Sequence, residues 1–326
     1  MLKITATFID EITGDIPHQN WLADDWDKDF AAMKAIGIDS VTMIRCGHGR
    51  WITHPSKVLE KEVNAYTPVT DLTKLFLDLA EKHDMKFYFG NYNGGFHVRG
   101  NYRKEIDINK AVCEEAWERY GSHPAFAGWY LTQEVGRLQW NIIEVFHELG
   151  KFCKELSGGL PTAISPYIEG IQLYDPFRTG VNAGKSVTLP DFEREWNEIM
   201  AGITGCVDSI SFQDGGCDYS ELEDFLSVAC SAGKKHGILI NTNVEAFDRD
   251  MPIRFLPIKW DKMLLKLRAA EKAGVAGATM FEFSHFMSPN SSYFQAHGLN
   301  RCYQHYLAGG FEIIKRGNCK SQSKKD

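Results

Sequence analysis

Strand-like apolar segments and amphipathic helix-like segments alternate eight times along this chain of 326 residues. A representative unit begins with the apolar run that starts at Phe126 and continues with the helix-like segment Asn141–Leu156. Eight strands of this kind, each followed by a helix, close into a barrel in which the helices cover the strands. The pattern therefore predicts an α/β fold, specifically a single (β/α)8 TIM barrel.

The predicted strands and helices are spread along almost the whole chain. The strands are Ile4–Asp10, Ser40–Arg45, Lys86–Tyr92, the stretch from Phe126 to Glu134, Pro161–Pro166, Asp208–Gln213, Gly237–Val244 and Gly277–Phe283. The helices are Trp26–Ile36, Asp71–His83, Asp107–Tyr120, Asn141–Leu156, Pro190–Ile203, Ser220–Lys235, Trp260–Ala273 and Asn300–Leu307. Two helix starts carry their own signals, because Pro190 suits a first turn and Ser220–Glu223 has the sequence of a capping box.

The connections favour a closed barrel over a doubly wound open sheet. A nucleotide-binding open sheet has a glycine-rich turn after its first strand, and residues 10–15 do not form one. Helix-to-strand connections such as Gly37–Asp39 are short, whereas strand-to-helix connections such as Cys46–Thr70 and Tyr167–Leu189 are long. Long strand-to-helix loops on one rim are typical of a catalytic face. We expect the barrel domain to span residues 1–314 and residues 315–326 to form a disordered basic tail.

The composition of the chain restricts which partners it can bind and where in the cell we expect it. A net charge of −7 argues against a nucleic-acid partner, and no apolar run reaches the ~20 residues of a membrane span. The eight cysteines include no CxxC pair, which favours reduced buried thiols over a metal cluster. The N-terminus lacks the features of a signal peptide. We therefore expect a cytoplasmic protein that binds neither nucleic acid nor membrane and needs no cofactor.

Polar side chains collect at the predicted carboxyl ends of the strands, where barrels place their active sites. They include amides, aromatics, one arginine and several carboxylates. The set is Asp10, Glu11, Arg45, His48, Trp51, Asn91, Tyr92, Asn93, Gln133, Glu134, Tyr167, Gln213, Asp214, Asn243, Glu245, Glu282 and His285. No lysine stands at a strand end, which argues against a Schiff-base aldolase. The set predicts a cup that binds hydroxyl groups.

Glu134 and Glu245 are the principal catalytic candidates, because they end the fourth and seventh predicted strands. Glycoside cleavage needs two carboxyl groups, one that protonates the leaving oxygen and one that attacks or activates water. Strands four and seven lie on facing sides of an eight-stranded barrel, so two such carboxyl groups would flank a bond across its mouth. The alternative is that each glutamate forms an ordinary surface ion pair.

The position of the two glutamates resembles the large clan of retaining-glycosidase barrels that includes cellulase-like and β-galactosidase-like enzymes. The resemblance implies that Glu134 is the acid/base, that Glu245 is the nucleophile and that Arg45 supports the nucleophile. The clan has an asparagine before the acid/base, where it binds the sugar 2-hydroxyl. Gln133 stands there in this chain and reaches one methylene further.

The N-terminal stretch Thr7–Trp21, with Trp26, Asp27 and Gly37–Asp39, carries a closer resemblance. It is similar to an uncharacterised glycosidase-like TIM-barrel family that is recorded as a domain of unknown function. The likeness would cover residues 3 to 310. It implies the barrel fold and a broad class of activity without a substrate.

These observations predict retaining hydrolysis of a glycosidic bond in a small-molecule or oligosaccharide substrate. The expected substrate-binding residues are Arg45, His48, Trp51, Asn91, Asn93, Gln133, Tyr167, Gln213, Asn243, Glu282 and His285. Two other functions stay open, a metal-dependent sugar isomerase or epimerase and a non-catalytic carbohydrate-binding barrel. The first would use rim histidines such as His54 and His97, although no metal-ligand spacing supports them. Asp214 is an alternative to one of the two glutamates.

Overall fold

Eight parallel strands close into a barrel in the computed structural model, which describes residues 1–14, 16–249 and 255–310. We number the barrel strands in chain order. They are β1 (Ile4–Ile9), β2 (Ser40–Met43), β3 (Lys86–Gly90), β4 (Phe126–Leu131), β5 (Thr162–Ile164), β6 (Ser209–Gln213), β7 (Leu239–Glu245) and β8 (Gly277–Phe281). Each strand pairs with its neighbour in the chain, and β8 pairs with β1. The predicted TIM barrel is confirmed.

Ten helices lie in the described part of the chain, and the larger ones surround the barrel. They are α1 (Ala23–Ala35), α2 (Lys57–Val63), α3 (Leu72–Lys82), α4 (Tyr102–Tyr120), α5 (Ile142–Leu156), α6 (Leu189–Ile203), α7 (Leu222–His236), α8 (Trp260–Ala273), α9 (Phe283–Phe286) and α10 (Phe294–Leu307). Helix α5 shows why they form, because its Val145, Phe146 and Leu149 recur on one face that is buried against the strands. No helix among the described residues is long and apolar enough to cross a membrane.

The two predicted helix starts had different outcomes. Helix α6 begins as expected, with Pro190 in its first turn and the Thr188 hydroxyl accepting a hydrogen bond from the Asp191 backbone N–H. The capping box at Ser220 is wrong. Helix α7 starts two residues later, and the Ser220 backbone N–H donates to Asp218 Oδ1 instead, at 2.9 Å. The turn that the Asp218 side chain closes therefore forms in place of the predicted Ser220 cap.

The inside of the barrel is divided by an aromatic layer. The rings of Phe8 and Tyr130 meet edge to face at 5.1 Å, and Ile44 packs with them. Below this layer, hydroxyl side chains such as Ser40 and Ser211 line a cavity of about 160 Å³ at the amino ends of the strands. Above it lies a separate cavity at the carboxyl ends, on the side of the long loops.

The loop after β2 contains structure that the sequence did not predict. Strands Gly47–His48 and Trp51–Ile52 form a hairpin, and Tyr92–Asn93 from the loop after β3 joins it to make a three-stranded sheet. Helix α2 lies in the same loop. These short elements fix the rim near β2 and β3. The tail predicted for residues 315–326 lies outside the described residues.

Candidate active site

The carboxyl ends of six strands surround a cavity of about 120 Å³. Five of the predicted catalytic and substrate-binding residues line it together: Arg45, Glu134, Gln213, Asn243 and Glu245. The other lining residues are Phe8, Asp10, Thr13, Ile44, Tyr130, Phe247, Arg249, Phe255 and Phe281. The cavity therefore combines carboxylates and guanidinium groups with an apolar wall.

Glu245 is buried at the end of β7, with only 2% of its surface exposed. Arg249 holds its carboxylate at both oxygens, with Nε 2.6 Å from Oε2 and Nη2 2.6 Å from Oε1. A two-point pair of this kind fixes the carboxylate in position and orientation. Arg45 was expected in this role, but Arg249 occupies it and Arg45 binds Glu134 instead. Arg249 lies in an irregular loop, where no periodicity shows which way a side chain points.

Arg45 pairs instead with the other glutamate. Its Nη2 lies 3.1 Å from Glu134 Oε1, and its Nη1 lies 3.4 Å from His48 Nδ1. The side chain of Glu134 is 30% exposed, so this carboxyl group is far more open to solvent than that of Glu245. Burial lowers the pKa of Arg249, but the charges of Glu245 and Glu134 raise it above its ordinary value. Both glutamates therefore act on one guanidinium and belong to one electrostatic site.

A buried ion pair supports the backbone of Glu245 from below. Lys266 Nζ, from α8, lies 2.8 Å from Asp214 Oδ1 and 3.1 Å from the Glu245 carbonyl oxygen. The same Asp214 oxygen accepts a hydrogen bond from the Glu245 N–H at 3.1 Å. Burial and the charge of Glu245 raise the pKa of Asp214 to about 6, although Lys266 opposes this shift. Asp214 does not line the cavity, and its contacts hold the backbone of Glu245.

Gly215 lets the Glu245–Arg249 pair lie directly against the backbone. A Cβ atom at this position would be 1.6 Å from Glu245 Oε2 and 2.7 Å from Arg249 Nε. Neither distance is sterically possible, so a side chain here would displace the Glu245–Arg249 pair from its present position. Nothing in the sequence marks this glycine as part of the site. Its role depends on a contact with a residue 30 positions away, which sequence spacing does not reveal.

We expect Gly215→Ala to lower catalytic activity about 100-fold, because a displacement of about 1 Å in a reacting group has an effect of this size. Overpacking should also lower the free energy of unfolding by about 1–3 kcal/mol. Gly298→Ala is the matched control, since a Cβ atom there meets nothing within 4 Å. Steady-state kinetics and thermal unfolding of both variants check the prediction, and full activity in Gly215→Ala would contradict it.

Gln133 does not line the cavity, contrary to the expectation that it binds the substrate. Its Nε2 donates to Glu105 Oε1 at 3.1 Å. Glu105 is a fully buried carboxylate that also accepts the N–H groups of Gly94 and Phe96, and so holds the loop after β3. The physical reason is that a buried carboxylate needs several donors, and the neighbouring amide supplies one.

Asn91 and Asn93 also serve the rim rather than the cavity. Asn91 Oδ1 accepts the Thr132 N–H at 3.0 Å, which ties the end of β3 to the end of β4. Asn93 Oδ1 accepts the Gly95 N–H at 3.1 Å and closes a turn. Neither residue lines the cavity. Amide side chains at strand ends commonly replace missing backbone partners in this way.

The predicted aromatic contacts lie beside the cavity. Trp51 is 63% exposed, and its ring packs against Tyr66 with a centroid distance of 4.9 Å. Trp51 pairs with His48 in the rim hairpin, which in turn contacts Arg45. Tyr167 is half-buried, and burial together with the charges of Glu169 and Glu134 raises its pKa. Trp51 and Tyr167 thus border the mouth without lining the cavity.

Glu282 and His285, two predicted substrate-binding residues, form a buried pair behind β8 and do not line the cavity. Glu282 caps α9 by accepting the N–H groups of Ser284 and His285. His285 Nδ1 lies 2.5 Å from Glu282 Oε1, and its Nε2 lies 2.6 Å from the Pro17 carbonyl oxygen. Both ring nitrogens face acceptors, so both carry protons and the ring is positively charged. The pair anchors the loop after β1.

We expect the Glu282–His285 pair to make the free energy of unfolding fall as the pH becomes alkaline. Burial lowers the pKa of His285, but the charge and hydrogen bond of Glu282 raise it from the usual 6.5 to about 9. The stabilisation is complete below about pH 6.5 and is lost as the pH rises through about 9. Thermal unfolding between pH 6.5 and 10 should show this decline in the wild type. His285→Gln should lack that component, and parallel pH profiles for both proteins would contradict the prediction.

Metal-ligand geometry does not occur in the part of the chain that the structure describes, where no three His, Cys, Asp or Glu side chains converge on one point. His54 is buried and contacts the hydroxyl of Thr73 at 3.2 Å. His97 is buried beside Glu105. His54 and His97, which were considered for a metal-dependent isomerase, therefore make separate contacts in the structure.

Comparison with known proteins places the chain in a family. Residues 4–293 match the family described as "Domain of unknown function (DUF4434)". No protein with curated annotation matches. A crystal structure of a "putative alpha-L-fucosidase" from Bacteroides thetaiotaomicron is 48% identical, with a TM-score of 0.89 and 94% of each chain covered.

More distant structures share the barrel alone. The endo-1,4-β-mannanase from Rhizomucor miehei is 13% identical with a TM-score of 0.56, and 86% of each chain is covered. The β-D-glucuronidase from Dictyoglomus thermophilum is 15% identical with a TM-score of 0.53, over 93% of this chain and 50% of that one. The family match over residues 4–293 confirms the resemblance carried by the N-terminal stretch. The chain belongs to the DUF4434 family, and its fold is a glycosidase-like (β/α)8 barrel.

Proposed function

We propose that the protein is a retaining glycoside hydrolase in which Glu245 is the nucleophile and Glu134 is the acid/base. The observation that carries the proposal is the asymmetry of the two carboxyl groups that line one cavity. Glu245 is buried and held at both oxygens by Arg249, as a nucleophile that must stay ionised and oriented requires. Glu134 is partly exposed, as a group that exchanges protons with water requires.

The reaction then has two steps. In the first, Glu134 donates a proton to the leaving oxygen while a Glu245 oxygen attacks the anomeric carbon, which breaks the glycosidic bond and forms a glycosyl ester. In the second, Glu134 removes a proton from water, which attacks the same carbon and releases Glu245. Arg249 holds Glu245 in place, and the Asp214–Lys266 pair fixes the backbone from which it projects.

Two observations guide the choice of substrate, a similar protein and an exposed ring beside the cavity. The relative that is 48% identical is described as a "putative alpha-L-fucosidase", so α-L-fucosides are the first substrates to test. The exposed ring of Trp51 at the mouth offers an apolar face on which a further sugar ring would pack. We therefore propose a small glycoside or an oligosaccharide as substrate.

The test is hydrolysis of a panel of aryl glycosides and natural oligosaccharides, starting with α-L-fucosides and including β-mannosides and β-galactosides. We expect turnover of at least one member by the wild type and none by Glu245→Ala. Sugar binding without any turnover would contradict the proposal and favour the non-catalytic barrel. Aldose–ketose conversion that appears only with an added divalent metal would favour the isomerase instead.

A further inference from the structure

Four buried polar atoms of cavity-lining residues lack a hydrogen-bond partner among the described residues: Asp10 Oδ2, Asn243 Oδ1, the Thr13 hydroxyl oxygen and Arg45 Nε. The two oxygens of Asp10 and Asn243 are acceptors. Asp10 and Asn243 are each 2% exposed. An acceptor that is buried without a donor destabilises a folded protein, so such atoms are rare and require an explanation.

The other polar atom of each of these two side chains already forms hydrogen bonds within the protein. Asp10 Oδ1 accepts the N–H groups of Ile12 and Thr13, at 3.1 and 2.9 Å. Asn243 Nδ2 donates to Ser165 Oγ at 3.0 Å. These contacts fix the orientation of the carboxylate and of the amide. The unpaired oxygen of each is therefore set by the fold and is not the result of a freely rotating side chain.

The charges around the cavity disfavour an anionic ligand. Three carboxyl groups line it, those of Asp10, Glu134 and Glu245, against the two guanidinium groups of Arg45 and Arg249. Each arginine already binds a glutamate. Arg45 Nε is an unpaired donor, but a ligand carboxylate would also meet two unpaired acceptors and an excess of negative charge. Hydroxyl groups would donate to both acceptors and can also accept from Nε.

Part of the cavity lining is apolar. Five lining residues present aromatic or aliphatic side chains: Phe8, Ile44, Phe247, Phe255 and Phe281. A sugar ring has polar hydroxyl edges and apolar C–H faces, so it fits a cavity with buried acceptors and aromatic walls.

We propose that Asp10 and Asn243 bind hydroxyl groups of the sugar, and that this sugar is neutral rather than a uronic acid. Asp10 Oδ2 and Asn243 Oδ1 each accept one hydroxyl hydrogen of the ring that the cavity encloses. The inference rests on the proposed function for the choice of ligand and extends it by defining the sugar and two residues that select it.

Calorimetric titration of the wild-type protein with monosaccharides tests the proposal. The probes are L-fucose, D-mannose and D-galactose, together with D-galacturonate and D-glucuronate. We expect at least one neutral sugar to bind more tightly than either uronate. Asp10→Asn keeps an acceptor for the loop N–H groups but replaces the unpaired oxygen with a donor, so it should weaken binding about 10- to 100-fold. Asp84→Asn, at a fully exposed carboxylate, is the control and should bind as the wild type does.

Tighter binding of a uronate than of every neutral sugar would overturn the proposal, and so would binding of none of the five. Unchanged sugar affinity in Asp10→Asn would overturn it as well. Thermal unfolding verifies that the variant is folded, and Asn243→Ala provides a second test should Asp10→Asn fail to fold. Binding that depends on Asp10 in a protein without hydrolytic activity would refute the proposed function alone. Hydrolysis that is unaffected by Asp10→Asn would refute this proposal alone.

Discussion

Glu245→Ala is expected to lower kcat on every glycoside substrate by at least ~10⁴-fold, since removal of a nucleophile leaves only binding and electrostatic contributions. The residue is buried at the end of β7 and held by Arg249, so no other described carboxylate occupies its position in the cavity. The measurement is steady-state hydrolysis of the best substrate of the panel. Glu155→Ala, on the exposed surface of α5, is the control and should keep full activity.

Azide should partly restore the activity of Glu245→Ala. The small anion fits the space that the carboxylate leaves, and it attacks the anomeric carbon from the same side. The product is then a glycosyl azide of inverted configuration. Glu245→Gln keeps the volume beside Arg249 and separates loss of the nucleophile from loss of packing. Wild-type rates in Glu245→Gln would show that this residue is not the nucleophile.

Glu134→Gln is expected to have an effect that depends on the leaving group. Loss of a general acid costs about 10²- to 10⁴-fold when the departing oxygen needs a proton, as in natural oligosaccharides. A dinitrophenyl glycoside needs no such help, because its leaving group is already a stable anion. The rate of glycoside cleavage for that substrate should therefore change little in the variant.

Rates measured across a series of aryl glycosides check this prediction. The variant should depend more steeply on leaving-group pKa than the wild type does. The amide of Gln keeps a hydrogen-bonding group near Arg45, which limits secondary effects on the pair seen at 3.1 Å. An equal loss for good and poor leaving groups would mean that Glu134 acts in some other way.

Sequence reasoning succeeded where the signal is periodic. The alternation of strands and helices predicts the barrel, and the end of a barrel strand predicts where a side chain lies. Glu134, Asn243 and Glu245 were found in this way, and all three line one cavity. The position of a residue along a strand fixes the rim that it reaches, and this is independent of its distant partners.

Partners of these residues could not be predicted in the same way. The choice between Arg45 and Arg249 as the partner of Glu245 depends on the path of a loop. Gln133 turns from the cavity because Glu105, in the first turn of α4, is buried beside it. A glutamate near a helix start suggests a solvated residue, and only the packing of two loops shows that it is enclosed. Side-chain direction in irregular segments is a tertiary property.

The hydrogen bonds of the buried residues behind β8 could not be predicted from the sequence either. Glu282 and His285 have the residue types and strand-end positions that are typical of substrate ligands. In the structure, however, Glu282 caps α9 and the His285 ring hydrogen-bonds to the Pro17 carbonyl oxygen. Asp10, by contrast, was noted only as part of a strand end, and its unpaired oxygen became visible only with the cavity. Residue type and strand position define candidate ligands. The hydrogen bonds in the structure then show which candidates keep a polar atom available for a ligand.

The configuration of the first product is the most direct measure of the central claim. Proton NMR early in turnover of a single-anomer substrate resolves the anomeric signals before mutarotation. Two carboxyl groups about 5–5.5 Å apart give a glycosyl ester and then net retention, whereas a separation of about 6.5–9.5 Å admits water and gives inversion. The account predicts that the first-formed sugar has the same anomeric configuration as the substrate. An inverted product from the wild-type protein would contradict it.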